Sequence, residues 1–290
     1  MIGLSIGPLL LNFSSPEKYE PFILISLLLS SALIPILLTK RKAPKFKKLG
    51  YIDISGLYKT SPLATVSMFC TGLIHSALFS LGAVYAAAMN FSIFEISLLL
   101  FLVSVFGGIF QWPIGYYSDK SDRRIIIIFC TFLAALFCSL AIFYSGTSLE
   151  NMYLATNLGI DKIMFFIYVS LYAGMAIPLF TLNLAYVNDY VPKEKFVAAG
   201  GGMQIIFGIG AMTGPFICSL LMNKFGNNGF FVHFLTFHII IGIFGLYRIT
   251  KRSYKDNPES TFTPLPRNIT PLGIELDPTT GANISGEDKK

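Results

Sequence analysis

Charge is scarce in this sequence. Only 13% of its 290 residues are Asp, Glu, Lys or Arg, about half the share found in an ordinary soluble protein. Hydrophobic residues reach 53%, more apolar surface than so few charges can cover in water. A soluble globular fold is excluded. Tryptophan is nearly missing, with one residue against 27 Phe. Cysteine is limited to Cys70, Cys130, Cys138 and Cys218, all inside apolar stretches. They read as small buried hydrophobes with no disulfide framework. Metal-ligand clusters, phosphate-cradling loops and nucleophile triads are missing as well. No metal, no cofactor and no enzymatic activity are expected. Asp119 and Asp122 stand three residues apart, but each has basic neighbours and neither resembles a catalytic carboxylate.

What the sequence has is long apolar runs. They lie near 21–39, 63–88, 92–118, 124–145, 163–187, 196–222 and 228–249. Roughly 20 apolar residues cross a bilayer as a helix. The expectation is an all-α polytopic membrane helix bundle of about seven transmembrane helices, with the lipid bilayer as its solvent. The stretch Met1–Phe13 is apolar but too short to cross. It has neither a basic start nor a small-residue cleavage site, so it is a poor signal peptide.

A net charge of +6 and a pI near 9.0 would fit nucleic acid in a soluble chain, but here the basic residues fall between apolar runs. No nucleic-acid partner is expected. Of the 22 Lys and Arg, all but Lys18, Lys162 and Lys224 fall on one side if the spans alternate. The segment 40–62 alone carries seven of them. The positive-inside rule makes that side cytoplasmic, and with it the C-terminus. From 250 to 290 the chain turns Pro-, Asn- and Thr-rich without apolar period and reads as a disordered cytoplasmic tail. Its Asn268-Ile269-Thr270 and Asn283-Ile284-Ser285 match the glycosylation pattern only by chance, since that side never meets the enzyme.

Two motifs stand out. The first, Gly115-Tyr116-Tyr117-Ser118-Asp119-Lys120-Ser121-Asp122-Arg123-Arg124, joins the third and fourth runs. Gly115 would allow close approach and a tight turn. Asp119 falls where a carboxylate could cap the next helix, with Arg123 and Arg124 one turn beyond. A plain basic loop obeying the positive-inside rule explains part of this pattern. The second motif is the run Gly200-Gly201-Gly202-Met203-Gln204, followed by Gly208, Gly210 and Gly214-Pro215. Small residues at such spacing let helix backbones approach in lipid, and Pro215 could bend the helix. Gly3–Leu10 repeats the form of Gly210–Ile217, with Pro8 and Pro215 207 residues apart.

The first motif resembles the signature loop of the major facilitator superfamily, G-x-x-x-D-R/K-x-G-R-R/K. Gly115, Asp119, Lys120, Arg123 and Arg124 match it, whereas Asp122 replaces its Gly and Tyr117 its Leu. The resemblance implies a gate element whose Asp pairs with an Arg and a neighbouring helix end. The second motif is similar to the family's glycine-proline helix, through Gly201, Gly210, Gly214 and Pro215, with Cys218-Ser219 in place of its closing glycines. Parallel repeats build such folds. The resemblance, over about 250 residues, implies a partial fold of this family. Residues 1–13 would be a remnant of helix 5, 14–39 helix 6, 40–62 the central cytoplasmic loop, and 63–249 a six-helix C-terminal bundle.

Ionisable and polar side chains at membrane depth default to functional candidates. His75 could carry a proton or touch substrate, or it could be bonded to a neighbouring helix. Tyr168, Tyr172 and Asn183 fall at helical spacings that could face the same cavity, and Gln111 and Gln204 could join them or bridge helices. His233 and His238, on the run that resembles a peripheral helix, are given no role. Glu95 is placed at a hydrated outer mouth. The implied function is a secondary transporter moving a small solute by alternating access, ion- or proton-coupled, in a bacterial cytoplasmic (inner) membrane. It would lack most of its N-terminal half. The alternative is a non-transporting remnant or accessory half, needing a separately encoded N-terminal half or a homodimer mate.

Overall fold

The computed structural model describes residues 6–12, 18–38, 54–150, 158–192 and 195–251. Every regular element among them is helical. A short 3₁₀ turn, Gly7–Asn12, precedes α1 (Glu20–Leu38), α2 (Ile54–Thr60), α3 (Pro62–Ala88), α4 (Ile93–Lys120) and α5 (Arg123–Glu150). After these come α6 (Leu158–Ala176), α7 (Leu179–Asn188), α8 (Phe196–Phe225), a second 3₁₀ turn (Gly226–Asn228) and α9 (Gly229–Lys251). The chain is an integral, multi-pass, all-α membrane protein.

Among the described residues, five helical stretches are long and apolar enough to cross a membrane: Pro62–Ala88, Ile93–Lys120, Arg123–Ser145, Asp161–Asn188 and Phe196–Lys251. The sequence predicts seven spans, and the difference has two causes. Phe196–Lys251 is one helical run of 56 residues that contains both α8 and α9. Its two halves are separated at Gly226, whose φ of 66° glycine adopts without a steric penalty. Glu20–Ile34, in the first predicted span, is apolar but shorter.

Local sequence explains the helix ends. Pro62 opens α3 where a missing N–H costs nothing. Ser92 and Glu95 form a reciprocal capping box at the start of α4: Ser92 N donates to Glu95 Oε2 at 2.8 Å, and Glu95 N donates to Ser92 Oγ at 3.3 Å. Pro178 lacks the N–H that would continue the helix, so the predicted span 163–187 is broken into α6 and α7 at Ile177–Pro178.

Three boundaries differ from the sequence reading. Ile54–Thr60, inside the expected loop 40–62, is helical because Leu57 buries completely against the bundle, where α2 packs on α3. Gly7–Asn12 is a 3₁₀ turn packed on α4 and held by Asn12 Nδ2 donating to Ser97 Oγ at 2.7 Å, rather than an α-helical end. Helix α9 runs through Thr250 to Lys251, into the expected tail. The rest of that tail and residues 39–53 lie outside the described residues.

Packing is dominated by α3 against α8 and by α5 against α6, with α9 wedged onto α5, α3 and α8. All four cysteines are free and buried in this core. Helix α1 stands apart, with Phe22, Ile25, Leu29 and Leu33 exposed.

Candidate functional site

The α4–α5 turn assembles from charge. Helix α4 continues through the signature segment to Lys120, so Gly115 sits buried inside the helix rather than in the turn where the sequence reading placed it. Asp122 does the capping expected of Asp119. Its Oδ1 accepts from Arg124 N at 3.0 Å, and its backbone carbonyl accepts from Ile125 N at 2.9 Å. Only Asn90 among described non-glycine residues has a positive φ. The turn therefore does not need glycine at 122, and Asp122 gains a cap and a partner. Arg124 Nη2 lies 2.6 Å from Asp122 Oδ2.

Asp119 is thereby left for Arg123, as the signature pattern implies. Arg123 Nη2 lies 2.8 Å from Asp119 Oδ1, and Nη1 donates to Ser118 Oγ at 3.2 Å. Its Nε lies 3.2 Å from Asp189 Oδ2, just past the end of α7. The Arg123 and Asp189 side chains are only 6% and 9% exposed. One guanidinium fork thus ties the end of α4, the start of α5 and the end of α7. The sequence reading missed Asp189. A lone acid closing an apolar run was the available signal. Lys120 is not part of this cluster: its ammonium points back to the Tyr116 hydroxyl and sits 4.0 Å above that ring.

The second motif lies along the α3–α8 crossing. A Cβ added at Gly210 would come within 2.2 Å of the Phe69 carbonyl oxygen, and one at Gly214 within 2.3 Å of the Leu73 carbonyl oxygen. From the other side, a Cβ at Gly72 would meet the Phe207 carbonyl oxygen at 2.2 Å. Gly72 was not singled out from the sequence. Pro215 is accommodated within α8 and Gly201 is half-buried there, while Gly208 faces open space.

Most of the polar residues expected to share one cavity make contacts between helices. His75 Nε2 donates to the Ala176 carbonyl at 3.0 Å, at the broken end of α6, which is the helix-bonded alternative. Tyr172 is fully buried, stacked on Phe234 and edge-on to His238. Tyr168 stacks on Tyr144 of α5 at 5.3 Å. Asn183 Nδ2 donates to Thr71 Oγ1 at 3.3 Å. Gln111 is buried on α4 and Gln204 half-buried on α8. These partners fill interhelical seams, because helical spacing fixes only a shared face, not what covers it. His233 and His238, given no role from the sequence, are both fully buried, and His233 Nε2 donates to the Leu73 carbonyl at 3.1 Å.

A groove of about 790 Å³ does open, but elsewhere, between α4 and α6. Phe94, Leu98, Leu102 and Phe106 supply one wall at four-residue spacing, and Ile163, Phe166, Ile167 and Ser170 the other. Glu95 and Lys162 stand at its mouth with Oε1 and Nζ 2.5 Å apart. Glu95 is ion-paired there, which its expected hydrated position did not anticipate.

Residues 1–182 and 65–278 match the sequence profile of the Major Facilitator Superfamily. The chain is similar to an uncharacterized MFS-type transporter of Yersinia enterocolitica, 24% identical over 263 residues, covering 90% of this chain and 63% of that protein. It is also similar to the uncharacterized MFS-type transporter YcaD of Escherichia fergusonii, at 19% identity over 80% of this chain and 56% of the relative. YfkF of Bacillus subtilis, another uncharacterized MFS-type transporter, is 28% identical over 60% of this chain and 40% of its own length. The chain spans between 40% and 63% of these relatives. No solved structure matches it.

Proposed function

The chain belongs to the Major Facilitator Superfamily, and from that membership we propose that it serves to move a small solute across the membrane by alternating access, driven by an ion or proton gradient. The observation that carries this reading is Arg123, held between Asp119 and Asp189. Alternating access needs an element with two discrete arrangements. A buried fork joining three helix ends is strong while all its partners are present, and costly once one is withdrawn. Asp119, the most exposed of the three charged side chains at 31%, is the partner easiest to release into water. In this reading Gly115, Asp119, Lys120, Arg123 and Arg124 form the gate loop. Gly201, Gly210, Gly214 and Pro215 keep α3 and α8 packed while the gate works. His75, Gln111, Tyr168, Tyr172, Asn183 and Gln204 are its candidates for the substrate or proton path.

Asp119→Asn keeps the shape and removes the charge. Gradient-driven flux by cells expressing the chain, or a longer protein containing it, should fall by about tenfold or more while membrane insertion is unchanged. Flux at the original level, or flux indifferent to collapse of the ion gradient, would remove the reading.

Orientation follows from the charge asymmetry, with the C-terminus in the cytoplasm of a bacterial cell and the span carrying the protein in its inner membrane. A reporter active only outside the cytoplasm should be silent when fused after Lys251 and active when inserted within 147–160. The reverse pattern would invert the topology and put the Arg123 cluster on the outer face.

A further inference from the structure

Apart from Lys162, the polar groups lining the α4–α6 groove are already engaged. Ser92 and Glu95 close on each other in the capping box, Glu95 Oε2 also accepting from Ser92 Oγ at 3.0 Å. Ser170 Oγ donates to the Phe166 carbonyl at 2.6 Å within its own helix. What remains of the lining is Phe, Leu and Ile. A solute with hydroxyls or amides along its length would lose its water there and find no partner, which is what a binding site for sugars, nucleosides or amino acids must avoid. The volume falls within the range of small-molecule sites. The wall from Phe94 to Phe106 runs for about 18 Å at the helical rise of about 1.5 Å per residue, room for an extended chain.

The mouth is an ion pair whose donors and acceptors are unequally spent. Glu95 Oε2 accepts twice from Ser92 and Oε1 accepts from Lys162, so most of that carboxylate's acceptor sites are used. Lys162 spends one of its three ammonium donors on Glu95, rests 4.9 Å from the Phe91 ring centroid, and is 41% exposed. Among the described residues, two donors remain to be offered at the groove's polar end. Asp161, its neighbour in sequence, does not line the groove.

We propose that this groove binds a single-chain amphiphile with an anionic head, of the long-chain carboxylate type, its chain along Leu98, Leu102 and Phe106 and its carboxylate on Lys162. As the substrate class of the transporter, this rests on the functional reading above, but its test does not need flux. Native mass spectrometry of the purified full chain released from micelles counts bound ligand. Laurate should bind saturably at one site, and methyl laurate and dodecyltrimethylammonium about tenfold more weakly. Lys162→Gln should bring laurate down to the ester's level and leave the ester unchanged. Leu102→Trp, which fills the groove, should weaken both. Because Lys162 sits at the rim, its variant remains informative if Leu102→Trp does not fold.

Equal binding of all three head groups overturns the proposal, as does laurate binding that neither variant alters. These are the results expected if detergent or a protein segment occupies the groove. Displacement of laurate by phosphatidylglycerol at comparable concentration also overturns it, marking a seat for a bilayer lipid. A chain that binds laurate by these criteria yet supports no flux would sink the transport reading alone. One that moves another solute and ignores laurate would sink only this one.

Discussion

Gly210→Ala and Gly214→Ala are each expected to destabilise the folded bundle by about 3 kcal/mol or more, while Gly208→Ala, two residues from Gly210, leaves it unchanged or slightly more stable. The contrast rests on what a single methyl group meets. At Gly208 nothing lies within 4 Å, so an alanine there only improves helix propensity, by about 0.5–1 kcal/mol. At Gly210 the methyl would sit 2.2 Å from the Phe69 carbonyl oxygen and 3.1 Å from Leu73 N. At Gly214 it would meet the Leu73 carbonyl oxygen at 2.3 Å and Ser76 Oγ at 2.4 Å. Ser76 can rotate away, but a helix backbone cannot. α3 and α8 must separate, and α9 goes with them because His233 bonds that same Leu73 carbonyl. Overpacking inside a close-packed interior typically costs about 1–3 kcal/mol. Separating the bundle's most extensive helix pair belongs at or beyond the top of that range. Thermal unfolding in a fixed detergent, followed by circular dichroism, reads the difference. Equal melting of the three variants would mean the crossing is looser than these distances.

The reach of sequence reasoning follows from the range of the interaction. Spans were legible because apolar runs report their own solvent, whereas the break at Pro178, inside the run 163–187, was not anticipated. The α4–α5 turn was legible in pairing but not in assignment. The spacing of Asp119, Asp122, Arg123 and Arg124 allows either acid to cap and either to pair. Only the turn geometry gives the cap to Asp122 and the fork to Asp119. Asp189 lies 66 residues from Arg123 in sequence, and no local pattern announces that contact. The glycine motif on α8 was visible as spacing, yet its complement, Gly72, is a lone glycine that acquires meaning only opposite Phe207 and Ala211.

The expected cavity shows the limit most sharply. Polar residues at membrane depth were gathered into one site because each is costly in lipid. The cost is met as well by a neighbouring helix, and here Ala176 and Thr71 help meet it for His75 and Asn183. The groove that does open is nearly silent in a search for polar candidates, since its walls are the i, i+4 rows of Phe, Leu and Ile that any membrane helix carries. His233 and His238, given no role, are nonetheless buried: helix order says where a helix stands, whereas rotation about its axis decides which side chains it buries.

Arg123→Leu should be the most damaging single substitution at the α4–α5 turn, costing about 3–5 kcal/mol, the range for removing one partner from a buried ion pair. The loss is asymmetric. Leucine fills part of the space, but Asp189, with a side chain 9% exposed, keeps its charge and loses its guanidinium. Asp119 at 31% exposed can turn to water, so Asp119→Asn should cost no more than about 1 kcal/mol, as for an exposed pair, while still lowering flux by about tenfold or more. Arg123→Lys separates charge from shape. Lysine restores a positive charge, but a single ammonium cannot reproduce the planar fork that reaches Ser118, Asp119 and Asp189 together, so an intermediate loss is expected. In the double variant Arg123→Leu with Asp189→Leu, the buried acid that has lost Arg123 is gone. Stability should then recover relative to Arg123→Leu alone by about 1–3 kcal/mol, the coupling expected of residues in direct contact. Flux should stay absent, because the link between α5 and α7 that the gate requires is not rebuilt. Recovery of stability without recovery of flux therefore separates a gate from a structural staple. If the double variant regains both, the Arg123–Asp189 contact is only packing; if it regains neither, Asp189 is not the group that makes Arg123 indispensable.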